Sequence, residues 1–221
     1  MKDTMSLTLI DRFHPRQRKA LQAAIDAGNL QKRDELELLT PDVMRPLARL
    51  GIRMLVGAGI FFIALNFATY FWQKHTLNLG LTFGSVLLWL VINIVGSVII
   101  LPLHELIHGL TFLFWGGKPF FGAKLPFALY CGARQQVFPR NQYLVVGLAP
   151  LVAITIIALL LTLFSPVLAS YTLFANLSNF SGAVGDVWVA ARILQQPPHI
   201  LVEDTDAGYR AWEILPSPFS S

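Results

Sequence analysis

From Met54 to Gln73, from His75 to His104 and from Gln142 to Gly185, the chain carries no Asp, Glu, Lys or Arg. A helix needs about 20 apolar residues to cross the hydrocarbon core of a bilayer. Each of the first two stretches is long enough for one span and the third for two. Only 14% of the 221 residues are charged, against roughly 25% in an average soluble domain, so the chain is expected to fold in lipid. The expectation is an all-α membrane protein of about four transmembrane helices, at about 54–72, 82–115, 143–164 and 168–191. A short hairpin-like cytoplasmic loop is expected between the second and third.

Ten of the 17 Lys and Arg residues lie within Met1–Arg53. Positive residues concentrate on the cytoplasmic side of membrane proteins. The net charge of +4 therefore reads as a topological signal, with no nucleic-acid partner. The predicted arrangement is a multi-pass protein of the cell membrane with both termini cytoplasmic. It has a basic N-terminal region over 1–53, a membrane domain over 54–193 and a C-terminal tail over 194–221. Within the first, Pro15 to Ala27 reads as a helix and a second short helix runs to about Leu39. Thr40-Pro41-Asp42 then forms a helix start, with Pro46 expected to interrupt it. Pro102 is expected to kink the second span. Residues 123 to 137 show no helical period and read as a hairpin or membrane-apposed loop, and His199 to Glu203 reads as a strand. The lone Cys131 permits no intramolecular disulfide and reads as a small apolar filler.

His104-Glu105-Leu106-Ile107-His108 falls in the apolar second span. Two imidazoles at i and i+4 lie on one helix face, about 40° apart around the axis, where they can bind one metal ion. Zinc in a catalytic site takes three protein ligands and leaves a position for water. A Glu directly after the first His is placed to act as general base. Ionisable groups inside a lipid-embedded helix cost several kcal/mol unless partnered, which marks them as functional candidates.

A third ligand is needed, and Asp186 is the acidic residue of the fourth span. It lies six residues before Arg192, and His108 lies at a similar interval from the end of its own span. Both sit about 9 to 11 Å below the same surface at 1.5 Å per residue. The competing reading pairs Asp186 with Arg192 at the interface. His75 is expected on the opposite side of the membrane, and His14 and His199 in soluble segments, so none of these is favoured as a ligand.

Leu103-His104-Glu105-Leu106-Ile107-His108-Gly109, Gly147-Leu148-Ala149-Pro150, and Asn179-Phe180-Ser181-Gly182 leading to Asp186 together resemble the site-2 protease group of intramembrane metallopeptidases. They resemble more closely the small family of membrane zincins related to it. The resemblance covers about Ser85 to Arg192. It implies Asp186 as the third zinc ligand and Asn179 as a polar contact to the substrate carbonyl, with Asn176 one turn earlier as the alternative. The sequence departs from the group where Gly182 stands in place of a proline and Val187 follows the aspartate in place of glycine.

The function expected is that of a zinc metallopeptidase. His104, His108 and Asp186 hold Zn2+, and Glu105 is the base in hydrolysis of membrane-associated or transmembrane peptide substrates. An unwound substrate is expected to pair as a strand with the 120–137 loop. The alternative is a non-catalytic multi-pass membrane protein with a structural or vestigial metal site, in which Glu105 has no work as a base. A haem subunit is disfavoured, because two His at i and i+4 cannot take opposite faces of one haem.

Overall fold

The computed structural model describes residues 7–76, 80–124, 128–205 and 207–215. The outermost parts of the expected N-terminal region and tail, 1–6 and 216–221, lie outside them. The elements in chain order are β1 (Thr8–Leu9), α1 (Pro15–Asp26), β2 (Leu30–Glu37), α2 (Pro41–Lys74), α3 (Phe83–Trp115), β3 (Phe120–Lys124), β4 (Ala128–Gly132) and β5 (Gln136–Pro139). They continue as α4 (Arg140–Phe164), α5 (Pro166–Tyr171), α6 (Leu173–Gly182), α7 (Val184–Leu194), β6 (Leu201–Thr205) and β7 (Gly208–Ile214). They form two compact units, one of residues 1–44, 105–149 and 185–221, the other of residues 45–104 and 150–184.

The first unit is built on a five-stranded sheet in the order β1-β5-β6-β7-β2. β1 pairs with β5 in parallel and the other neighbours are antiparallel. Successive strand residues point to opposite faces, and here both faces are covered. Val137 and Leu201 pack with Leu21 and Ile25 of α1. Their chain neighbours Phe138 and Val202 pack with Phe112 of α3, Tyr143 and Val146 of α4, and Val189 and Ile193 of α7. The sheet thus serves as the platform on which the second half of the His-Glu-Leu-Ile-His helix is seated.

β3 and β4 make a separate antiparallel hairpin, with Phe121 opposite Cys131. It lies on α3 at Gly109. A Cβ there would come within 2.7 Å of the Phe121 ring and 3.4 Å of Cys131 Sγ, so glycine permits the close approach.

In the second unit, Ala58, Phe62 and Ala158 form a buried cluster with Leu173, Leu177 and Phe180. α2, α3 and α4 are the three helices among the described residues long and apolar enough to cross a membrane. With 34, 33 and 25 residues they measure about 51, 50 and 38 Å at 1.5 Å per residue. Large apolar side chains on them stand exposed, among them Ile60 (67%), Val98 (65%) and Ile157 (56%). That is the surface a bilayer would cover.

The architecture corrects the all-α expectation. The chain is a mixed α/β structure with a five-stranded sheet and a two-stranded hairpin, and the described residues hold three candidate spans where about four were expected. The second short helix expected before Leu39 is strand β2, a central part of whose pairing is Leu36 opposite Tyr209 and Asp34 opposite Ala211. Pro46 does not interrupt the helix that starts at Pro41, which continues to Lys74.

The expected fourth span, 168–191, is divided into α5, α6 and α7, of 6, 10 and 11 residues. None reaches half the roughly 30 Å of a bilayer core by more than about 2 Å. Asn93 of α3, fully buried, satisfies the break between the first two. Its Nδ2 donates to the Ser170 carbonyl at 3.0 Å and its Oδ1 accepts from the Phe174 N–H at 2.8 Å. These are groups that helix ends leave without intrahelical partners. Trp89 Nε1 also donates to the Ser170 carbonyl, at 2.9 Å.

Candidate metal centre

His104 and His108 are buried, 6% and 7% exposed. Each uses Nδ1 in a hydrogen bond. The Nδ1 of His108 donates to the Val146 carbonyl at 2.9 Å, and the Nδ1 of His104 donates to Asn179 Oδ1, also at 2.9 Å. Imidazoles that donate Nδ1–H to such an acceptor commonly bind a metal through Nε2.

His108 Nε2 lies 3.5 Å from Asp186 Oδ1 at the start of α7. Two ligands held at 2.0 to 2.1 Å in a tetrahedral site are separated by about 3.4 Å. His104 stands one turn before His108 on an unbroken helix, and the ligand atoms of His104, His108 and Asp186 all lie within 4.8 Å of one another. Two neutral imidazole nitrogens and a carboxylate oxygen form a donor set suited to zinc, so the residues present fit the metal.

Glu105 follows His104 on α3. Its Oε2 accepts the backbone N–H of Cys131 at 2.7 Å, which ties the carboxylate to the β3–β4 hairpin. The Cys131 thiol is pushed up to about 12, first by burial and then by the neighbouring charges of Glu105 and Asp204. It is thus a neutral group at ordinary pH. Asp204 of β6 accepts from the Ala133 N–H at 3.0 Å and from the Tyr143 hydroxyl at 2.6 Å, holding the end of the hairpin, the start of α4 and the sheet together.

Arg192, the competing partner for Asp186, approaches Asp34 of β2 at 4.0 Å. Tyr209 and Gln196 also donate to Asp34 Oδ2, at 2.6 and 3.0 Å. Asn179, 1% exposed, has its oxygen engaged by His104, while its Nδ2 has no partner among the described residues. Asn176, the alternative, is equally buried, with neither polar atom partnered there. His14 and His199 are engaged elsewhere, with Asp11 and Glu213 at 2.9 Å.

Sequence reasoning missed Val146 as a ring acceptor, the Cys131 amide as the partner of Glu105, and Asp204. The first has a signal in the sequence, since Pro150 stands four residues after Val146. The others depend on strand pairings that the sequence does not display.

No curated protein and no solved structure matches the chain. Residues 97–201 match the family model described as "Putative zincin peptidase". The stretch that carries His104, Glu105, His108 and Asp186 is therefore similar to a zincin-type peptidase family.

Proposed function

We propose that the protein is a membrane-embedded zinc metallopeptidase that hydrolyses peptide bonds of membrane-associated or transmembrane substrates, and that it is a relative of the site-2 proteases. The observation that carries this reading is the grouping of His104, His108 and Asp186 with ligand atoms within 4.8 Å of one another, next to a carboxylate in the sequence position of a zincin base. The family match over residues 97–201 supports the same reading.

His104, His108 and Asp186 would hold the zinc, which when bound supplies a Lewis acid and lowers the pKa of a water at the site. Glu105 takes the proton from the attacking water and passes it to the leaving amine, a role that requires it within hydrogen-bond reach of both. The Cys131 amide fixes one of its oxygens. The hydrogen bonds from Nδ1 of the two histidines fix both rings, so that Nε2 is the atom each would offer to the metal and little reorganisation precedes the reaction.

A substrate helix must unwind to be cleaved, because its carbonyls are otherwise paired within the helix. The hairpin that carries Cys131 offers edge strands for an extended segment to join. The basic N-terminal region supports an orientation with both termini cytoplasmic.

The test is metal content in detergent-purified protein, comparing the unmodified chain with His108→Ala and Asp186→Ala. About one zinc per chain, lost from both variants, is the expected result. Metal retained without Asp186 would move the third ligand elsewhere, and no metal in the unmodified chain would remove the enzymatic reading.

A further inference from the structure

Pro150 lies inside α4, ten residues beyond its first residue, and is fully buried. A proline in a helix interior costs about 3 kcal/mol, because it has no N–H to donate and its ring crowds the carbonyl four residues earlier. That carbonyl belongs to Val146. It therefore lacks the intrahelical donor that an ordinary residue at 150 would supply. An unpartnered buried carbonyl is itself costly. In this structure it accepts the Nδ1–H of His108 at 2.9 Å.

From this we infer that Pro150 is a positioning residue for the metal centre. By withholding an N–H from Val146, it leaves that carbonyl to accept the Nδ1–H of His108, which sets the ring with Nε2 toward Asp186 Oδ1, 3.5 Å away. The inference deepens the zinc-peptidase reading and rests on it for the role of Nε2 as a ligand atom. The relay from Pro150 to the His108 ring stands on the hydrogen bonding alone. It also assigns different supports to the two imidazoles. His104 is oriented by a side-chain amide, which substitution can remove directly. His108 is oriented by a main-chain carbonyl, which only a change at residue 150 can occupy from within the helix.

Two replacements of Pro150 separate the missing N–H from the ring. Pro150→Ala introduces an N–H that competes for the Val146 carbonyl, and alanine favours the helix, so the variant is expected to fold. Replacement of Pro150 by lactic acid, introduced as a backbone ester by nonsense suppression, removes the ring and still supplies no N–H. In the full chain, with histidine labelled by 15N and no metal added, long-range 1H–15N spectra of the neutral His108 ring read the tautomer. Binding of Zn2+ is titrated separately.

The expected result is the Nδ1–H tautomer in the unmodified and ester proteins and a shift toward Nε2–H in Pro150→Ala. Zinc affinity should fall about 10- to 100-fold in the alanine variant, the usual range for loss of a group that orients a ligand, and should be kept in the ester. An unchanged tautomer in Pro150→Ala, or equal losses in the alanine and ester proteins, would overturn the inference. Absence of zinc binding by the unmodified protein would instead strike the peptidase reading, with the tautomer comparison still deciding the role of Pro150.

Discussion

Glu105 accepts a 2.7 Å hydrogen bond from the backbone N–H of Cys131, so the carboxylate proposed as the base is held by the main chain of the hairpin. Charge-assisted bonds of this kind are among the stronger ones in proteins, and this one does not depend on the cysteine side chain. Cys131→Ala should therefore keep most of the activity. Glu105→Gln should bind zinc as the unmodified chain does and lose about 10²- to 10⁴-fold in peptide hydrolysis, the usual share of a general base. Zinc content and cleavage rate measured on the same preparations check both; a Glu105→Gln protein with unaltered cleavage would remove Glu105 from the reaction.

Asn179 Oδ1 is assigned to the ring of His104, and the substrate-carbonyl contact expected for the residue would fall to its Nδ2. Asn179→Ala removes the acceptor for Nδ1 and should lower zinc affinity about 10- to 100-fold. Asn179→Asp retains an oxygen in that position and should lose less. Competition titrations against a chelator of known affinity measure the difference, and equal affinity in all three proteins would count against the assignment.

Asn93 closes the break between α5 and α6, and the two bonds it makes there are not equally replaceable. The Ser170 carbonyl keeps the Trp89 indole as a donor when Asn93 is removed, whereas the Phe174 N–H loses the acceptor it uses. Asn93→Leu should destabilise the protein by about 1–3 kcal/mol, the cost of one buried orphan donor. Asn93→Asp should cost less, because it keeps the acceptor. Thermal unfolding in one detergent ranks the three proteins.

The Cys131 thiol sits at about 12, raised by burial and by Glu105 and Asp204. The raised value leaves the neutral thiol dominant through the range in which an ordinary cysteine, near 8.5, becomes thiolate. At pH 8 its alkylation by iodoacetamide should be at least about 100-fold slower than that of a free thiol. The rate should still be rising above pH 10, where a free thiol has levelled off. Glu105→Gln removes one of the raising charges and should speed the reaction. A rate that plateaus near pH 9 would contradict the raised value.

The parts of the site that were legible in the sequence are those governed by one helix. The spacing of His104 and His108 requires only 3.6 residues per turn, and Asp186 follows from counting residues to a charged end. The fold was less legible because its strands lack the alternation that marks a half-buried sheet. Leu201 and Val202 are both buried, one against each face, so β6 reads as a short apolar run. β2, Leu-Gln-Lys-Arg-Asp-Glu-Leu-Glu, is mostly charged and has the composition of an exposed helix; its partner β7 lies more than 170 residues later. The supposed fourth span carries a single charged residue, Asp186, which is why it reads as a membrane helix. The first of its two breaks is bridged by Asn93, a residue from another element, and so is invisible to a window moved along the chain.

The order of strands in the sheet also bears on when the protein becomes complete during synthesis. β1 and β2, the two edges, are made first, and β6 and β7, which must enter between β5 and β2, are made last. The ribosome therefore releases the helix bearing Glu105 and His108 long before the surface that Phe112 and Val146 rest on can exist. A nascent chain therefore carries His104, Glu105 and His108 without that support until Ile214 has emerged.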